Sequence, residues 1–312
     1  MSKNNTLKHK NAKQIMYENI PYLLLVLPGF VWLIFFHYVP ITGIVLAFKN
    51  FNYIQGIFGS PWVGFKNFET FFKSNDCWRI MRNTIGYNLA GMLIVSLLFS
   101  MIVALLLYEV TRPKWNKCFQ ISIMIPNFIS WVAVAYIVFI FLSPENGILN
   151  SIITAAGGKS VNWYSESGVW PFILIMVSIW KNAGFASLYF YAALLAIDTS
   201  LYEAAELDGA KKHQQLFYIT IPHLTPMICM TLVMNMGKIV GGGMDLFYQV
   251  PMNSSAVYST TDVIATYIYR GLVGGNVGVT AAVGLFQSVV GVIMLLTTNA
   301  IIKKMDPEQA VF

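Results

Sequence analysis

An all-α integral membrane fold with six transmembrane helices is the architecture this sequence predicts, and three observations predict it. Hydrophobic residues make up 56% of the chain and charged residues only 11%, against roughly a quarter charged in soluble domains. Six apolar runs fall near 22–42, 85–107, 119–142, 169–197, 225–249 and 280–302. Each reaches the ~20 residues needed to cross a hydrocarbon core about 30 Å thick. Lysine and arginine are also unevenly shared between the connections, as the positive-inside rule requires.

The first run follows Lys3, Lys8, Lys10 and Lys13. It is too long for the apolar core of a signal peptide and lacks an A-x-A exit, so an uncleaved helix is expected. With the N-terminus inside, eleven lysines and arginines fall on the cytoplasmic side and seven outside. Five of those seven sit in the long outer connection 43–84; without it the contrast is eleven to two. Both termini are therefore predicted to be cytoplasmic.

The predicted organisation is a cytoplasmic tail (1–21), a first helix with its outer loop (22–84), a transmembrane core (85–302) and a second cytoplasmic tail (303–312). In the outer loop, Asn67-Phe68-Glu69-Thr70-Phe71-Phe72 and Trp78 form a short amphipathic stretch. It predicts a helix lying at the membrane surface with aromatics at headgroup level. A platform for an extracellular partner is the alternative. In the fifth run, Gly241-Gly242-Gly243 should weaken or break the helix. Broken membrane helices are tolerated where the freed backbone lines a cavity or is buried in protein.

Several function classes are excluded. The net charge of +6 follows from the cytoplasmic lysine bias, and no basic aromatic patch points to nucleic acid. Cys77, Cys118 and Cys229 match no metal spacing. His9, His37, His213 and His223 do not cluster with other ligands, so no catalytic set or metal site is expected. Between the runs there is no room for a catalytic domain of about 100 residues. A phosphate-binding G-x-x-x-x-G-K-[ST] loop is missing too: Gly237-Lys238 lacks the upstream glycine and the following Ser or Thr.

One polar island interrupts the apolar text, 203–222, reading EAAELDGAKKHQQLFYITIP. Ser200 followed by Glu203 fits a capping box, so a helix is predicted to begin there. Ala204 and Ala205 favour it and let another surface approach closely. Gly209 suits the turn out of that helix. A second short helix is expected over about 210–218, with Pro222 in the first turn of the helix that re-enters the membrane.

Glu203, Ala204, Ala205, Gly209, Ile219 and Pro222 together match a spaced pattern: Glu-Ala-Ala, three residues, Gly, nine residues, Ile, one residue, a hydrophobic residue, Pro. This resembles the EAA signature of permease subunits in binding-protein-dependent ABC importers of type I. Ile221 stands where that family usually has Leu. Asp208-Gly209-Ala210, Ala47 to Phe51, Gly59 to Phe65, Asp262-Val263 through Tyr269-Arg270-Gly271 and Ala281 to Ser288 are similar to the carbohydrate branch, which handles oligosaccharides and polysaccharide fragments. The resemblance covers nearly the full chain.

The resemblance implies a transport subunit in a bacterial plasma membrane that binds no cofactor itself. The island would be a coupling helix seated on an ATP-binding subunit, where ATP and Mg are used. Six helices would form half a translocation pathway, completed by a second, different permease subunit. Two ATP-binding subunits and an extracellular substrate-binding protein would complete the assembly. An ATP-driven importer of another polar solute, and an ion-coupled secondary transporter with inverted repeats, are the competing readings.

Ionisable groups within a span point to function by default. Lys238 lies about 20 Å into the fifth run at ~1.5 Å per residue, with Asn235 one turn before it and Asp245 about two turns after. Asn235, Lys238, Asp245, Tyr248 and Gln249, with Lys181 and Asn182 at mid-depth in the fourth run, are the candidate substrate-pathway residues. The alternative is structural: a Lys238–Asp245 pair, or Lys181 bound to its neighbours.

Overall fold

The computed structural model describes residues 12–305 and 307; Lys3, Lys8, Lys10 and the residues beyond 307 lie outside the described residues. Among the described residues the regular structure is helical, apart from one antiparallel bridge between Lys49 and Trp62. Five helices are long and apolar enough to cross a membrane: Asn19–Phe48, Asn75–Tyr108, Ser167–Leu195, Lys212–Met236 and Val277–Lys304.

The third run differs from expectation. Instead of one span over 119–142, Pro113–Phe128 and Trp131–Leu142 meet at 97°. Ile129 and Ser130 are extended there, with ψ of 133° and 150°. Ser130 restarts the chain as an N-cap, its Oγ accepting from the Ala133 amide at 3.2 Å. The two pieces supply a sixth crossing only as a broken span.

The fifth run also differs. The helix begins earlier, at Lys212, and stops at Met236. Residues 237–243 are a non-helical turn, and a separate short helix, Met244–Gln249, follows. Gly243 enters that helix at φ +85°, a conformation that disfavours side chains with a Cβ. The glycine run thus breaks the helix as its composition requires.

The first span is set apart from the others. None of its apolar window is buried, and Leu25 remains 79% exposed. Its contact with the body of the chain is made by Thr42–Phe48 against the last helix. In the connection 43–84, Lys66–Phe72 is helical as expected, but Phe71 turns inward, buried against Tyr267, rather than outward to headgroups. Asn67 ties the loop down by donating to the Ala47 and Lys49 carbonyls at 2.9 Å each.

Three apolar clusters hold the body together. Tyr87, Val134, Leu142, Trp170 and Leu174 pack with Leu246, Phe247 and Val250. Phe71 and Ile80 pack with Ile239, Val240, Ile264 and Val283. Ala104, Phe190 and Leu194 pack with Ile197 and Leu224. The first joins Trp131–Leu142 to the segment after the fifth-span break. The third seats the polar island's two flanks on the second and fourth spans.

Candidate functional site

The island folds as a helical hairpin. Its first arm, Thr199–Leu207, is capped by Asp198 rather than by Ser200: Asp198 Oδ1 accepts from the Ser200 amide at 3.0 Å. That hydrogen bond holds the Asp198 carboxyl below its ordinary range. The Ser200–Glu203 box is replaced because Asp198 offers an equally good acceptor two residues earlier.

The arm closes in a paired C-terminal motif. The Ala210 amide donates to Ala205 O at 2.9 Å and the Gly209 amide to Glu206 O at 3.0 Å. Both bonds need Gly209 in the left-handed region, and its φ is +78°. No atom lies within 4 Å of a Cβ built there. The requirement at 209 is therefore conformational and not one of space.

The second arm is not a separate short helix. Lys212–Gln215, a π-helical stretch Leu216–Thr220, and Ile221–Met236 run on as a continuous 25-residue helix. Pro222 has no N–H and its ring crowds the carbonyl one turn back, which a widened turn relieves. The widened turn lies directly before it, which accounts for the departure from the predicted stop at 218.

Burial sorts the hairpin into two faces. Tyr202 and Ile219 pack on the third cluster, and the Tyr202 and Thr220 hydroxyls lie 2.9 Å apart. Ala205 is half-buried. Glu203, Ala204, Gly209 and Pro222 are exposed, as are Leu207 at 90% and Tyr218 at 80%. Lys212 pairs with Glu206 at 3.3 Å on this outer face, a contact of little energetic weight. A cavity of about 830 Å³ opens between the hairpin and the end of the second span, lined by Tyr108, Glu109, Tyr202, Glu203 and Glu206. Glu109 belongs to this site and was not anticipated; it sits just before Thr111-Arg112, where only loop composition was visible.

The fifth-span candidates lie on or beside the break. Ile239 and Val240 anchor it in the second cluster, while Lys238, Asn235 and Asp245 are exposed. Asn235 returns its amide to Thr231 O at 2.8 Å. Tyr248 and Gln249 are half-buried, with Tyr248 edge-on to Tyr269 at 4.8 Å. Among the described residues no ion pair joins Lys238 to Asp245. The helical register that would put them on one face is lost at residues 237–243. Gln287, within the stretch Ala281 to Ser288 but not among the predicted site residues, packs against Gly241: a Cβ there would stand 2.4 Å from Gln287 Nε2.

The fourth-span candidates are placed differently. Lys181 is 5% exposed, and its ammonium donates to backbone carbonyls of Pro126, Asn127 and Ile129. Asn182 is half-buried, donating to Ser178 O at 3.0 Å and accepting from Asn127 Nδ2 at 3.5 Å. Lys181 is thus committed to the bend of the third span, apart from the exposed groups of the fifth.

The chain that carries this helical hairpin and these polar breaks is similar to known proteins over nearly its whole length. Residues 96–307 match the family model of the binding-protein-dependent transport system inner membrane component. The chain belongs to that family. It is 36% identical to Protein LplB of Bacillus subtilis over 290 residues, covering 91% of this chain and 89% of LplB. It is 34% identical to the polygalacturonan/rhamnogalacturonan transport system permease protein YteP of the same organism, covering 96% and 94%. The crystal structure of a bacterial ABC transporter involved in the import of the acidic polysaccharide alginate contains a chain 32% identical to this one, with a TM-score of 0.86. That match spans 95% of this chain and all of the other. As in its family, this is a multi-pass membrane transport component.

Proposed function

We propose that this chain is one permease subunit of an ATP-driven importer in a bacterial plasma membrane, and that its cargo is an oligosaccharide. The observation that carries the reading is the end-to-end likeness to the alginate importer's chain and to YteP. A second alginate importer structure, with pentasaccharide-bound periplasmic protein, is 31% identical over 95% of this chain. It supports an extracellular binding protein as the donor of cargo. Both termini are then cytoplasmic, and the hairpin faces the same side.

The hairpin carries the energy coupling in this reading. Leu207, Phe217 and Tyr218 offer apolar surface to water, a combination that favours contact with a partner. Glu203, Ala204, Ala205 and Gly209 shape that surface, with Ile219 seating it and Pro222 setting the widened turn. The ATP-binding partners, two per assembly, use ATP and Mg. The continuous helix Lys212–Met236 ties hairpin to break, so displacement at one end reaches Lys238 at the other. A second, different permease subunit covers the unburied first span and completes the pathway.

Exposed Lys238 and Asp245, at and just past the break that ends the helix Lys212–Met236, are costly against lipid, which favours a water-filled pathway lined by Asn235, Lys238, Asp245, Tyr248 and Gln249, with Asn182 nearby. Lys238→Met is expected to lower cargo uptake at least tenfold while leaving cargo-free ATP hydrolysis within twofold of wild type. The check is paired uptake and hydrolysis in proteoliposomes.

A cargo other than sugar has one specific support: 30% identity over 289 residues to the Escherichia coli sn-glycerol-3-phosphate transport system permease protein UgpA. Co-purified complex, reconstituted with its binding protein, decides the cargo. Oligosaccharides should stimulate ATP hydrolysis and glycerol phosphate should not; the reverse result overturns the sugar assignment.

A further inference from the structure

Lys181 sits near the centre of the helix Trp170–Leu195 and is 5% exposed. Among the described residues no carboxylate pairs with it. Its three N–H donors meet three acceptors: Pro126 O at 3.2 Å, Asn127 O at 2.8 Å and Ile129 O. Pro126 and Asn127 lie in the last turn of Pro113–Phe128 and Ile129 just past it; helix-end carbonyls lack the next turn's donors, and here Pro126 O is also met by the Ile129 amide at 3.2 Å. The same end carries the negative pole of the helix dipole. One buried cation and one broken helix end therefore satisfy each other.

Two further contacts converge on this point. Three residues on, Gly184 lies so close to the broken helix that a Cβ there would stand 2.0 Å from Ile123 O. The missing side chain lets the helix end come within reach of Lys181. On the far side of the bend, the Trp131 ring centroid is 5.1 Å from Lys181 Nζ, a cation–π contact with the first residue of Trp131–Leu142.

We infer that Lys181 is a positioning residue: a clamp that fixes the bend in the third span and, through it, the polar lining of the fifth. The route is one of packing. Val134, Ala135 and Leu142 of Trp131–Leu142 share a cluster with Leu246, Phe247 and Val250, which alternate with Asp245, Tyr248 and Gln249 along the chain. Moving the bend moves that segment. The inference rests on the transport reading for its uptake assay, but its geometric readout does not.

The test uses the full complex in proteoliposomes with Lys181→Met, Lys181→Arg and Gly184→Ala. Lys181→Met is expected to lower maximal uptake at least tenfold with the half-saturating cargo concentration within twofold, and Lys181→Arg to restore at least a third of it. Gly184→Ala should behave as Lys181→Met does, and the double variant no worse than the weaker single. In a background without Cys77, Cys118 and Cys229, Asp245→Cys should react with a water-soluble thiol reagent at a rate altered at least threefold by Lys181→Met.

A raised half-saturating concentration with maximal uptake intact would make Lys181 a cargo contact and overturn the clamp. So would an unchanged labelling rate at position 245. If Lys181→Met does not assemble, recovery of assembly by Lys181→Arg supports the clamp, and equal loss in both contradicts it. A wild-type complex without ATP-linked uptake counts against the transport reading alone, and labelling at 245 still decides the clamp.

Discussion

Replacing Gly209 with valine is expected to abolish ATP-linked uptake, by at least a hundredfold, while the chain still reaches the membrane. Gly209 is held at φ +78° by two backbone bonds that close the first arm. A β-branched residue in that region is strained by roughly 1–3 kcal/mol, and space around the Cβ does not relieve the strain. The arm can escape only by giving up the closure, which redirects Leu207 and the chain leading to Lys212. Asparagine tolerates the left-handed region, so Gly209→Asn should keep at least a third of wild-type uptake. Membrane yield and uptake measured side by side check the pair. Equal losses from valine and asparagine would place the requirement in the missing side chain and not in the backbone.

The second large effect is on stability. Asp262 is 2% exposed and accepts from Arg79 at 3.1 Å, from Arg270, and from the Thr266 hydroxyl at 2.9 Å. Its backbone carbonyl takes the Asn83 amide at 3.0 Å. This knot joins the start of the second span to the connection before the last one. Asp262→Ala leaves Arg270 without its carboxylate partner and Arg79 with only Asp76, 2.9 Å away on its own helix. Removing one partner of a buried pair costs roughly 3–5 kcal/mol. Both arginines are partly exposed here, so solvent screening brings the expected loss to about 2–3 kcal/mol. The thermal midpoint of the detergent-solubilised complex should fall by at least about 5 °C, and Asp262→Asn should fall less because it keeps an acceptor. A midpoint unmoved by alanine would remove the knot from the account of stability.

How much of this was legible in the sequence depended on the range of the interactions. Span existence follows from local hydropathy, and the break at Gly241-Gly242-Gly243 from backbone preference, so both could be read directly. The hairpin's closure at Gly209 was equally local. The choice of Asp198 over Ser200 as cap was not, because Asp198-Thr199-Ser200 offers three adjacent acceptors of similar strength. The bend at 129–130 had a local signal, Pro126 followed by Ser130, hidden inside an apolar run long enough to span. What completes the bend, Lys181, lies 52 residues or more along the chain from its carbonyl partners. No spacing rule connects them. The same holds for Gln287 against Gly241 and for Glu109 beside the hairpin, contacts that exist only once the spans are packed.

The exposed faces carry a complementary lesson. A single chain leaves its first span unburied and keeps Leu207 and Tyr218 in water. Each is an unsatisfied apolar surface at a place where the assembly reading puts another subunit. The central claim is that one of these, the hairpin, is gripped by an ATP-binding subunit during transport. The direct measurement is crosslinking from Leu207→Cys and Ala204→Cys in reconstituted complex that is actively taking up cargo. The account predicts adducts with the ATP-binding subunit from both positions, with uptake stopped by the crosslink and restored by cleaving it. Sustained ATP-linked uptake with neither position ever reaching that subunit would contradict it.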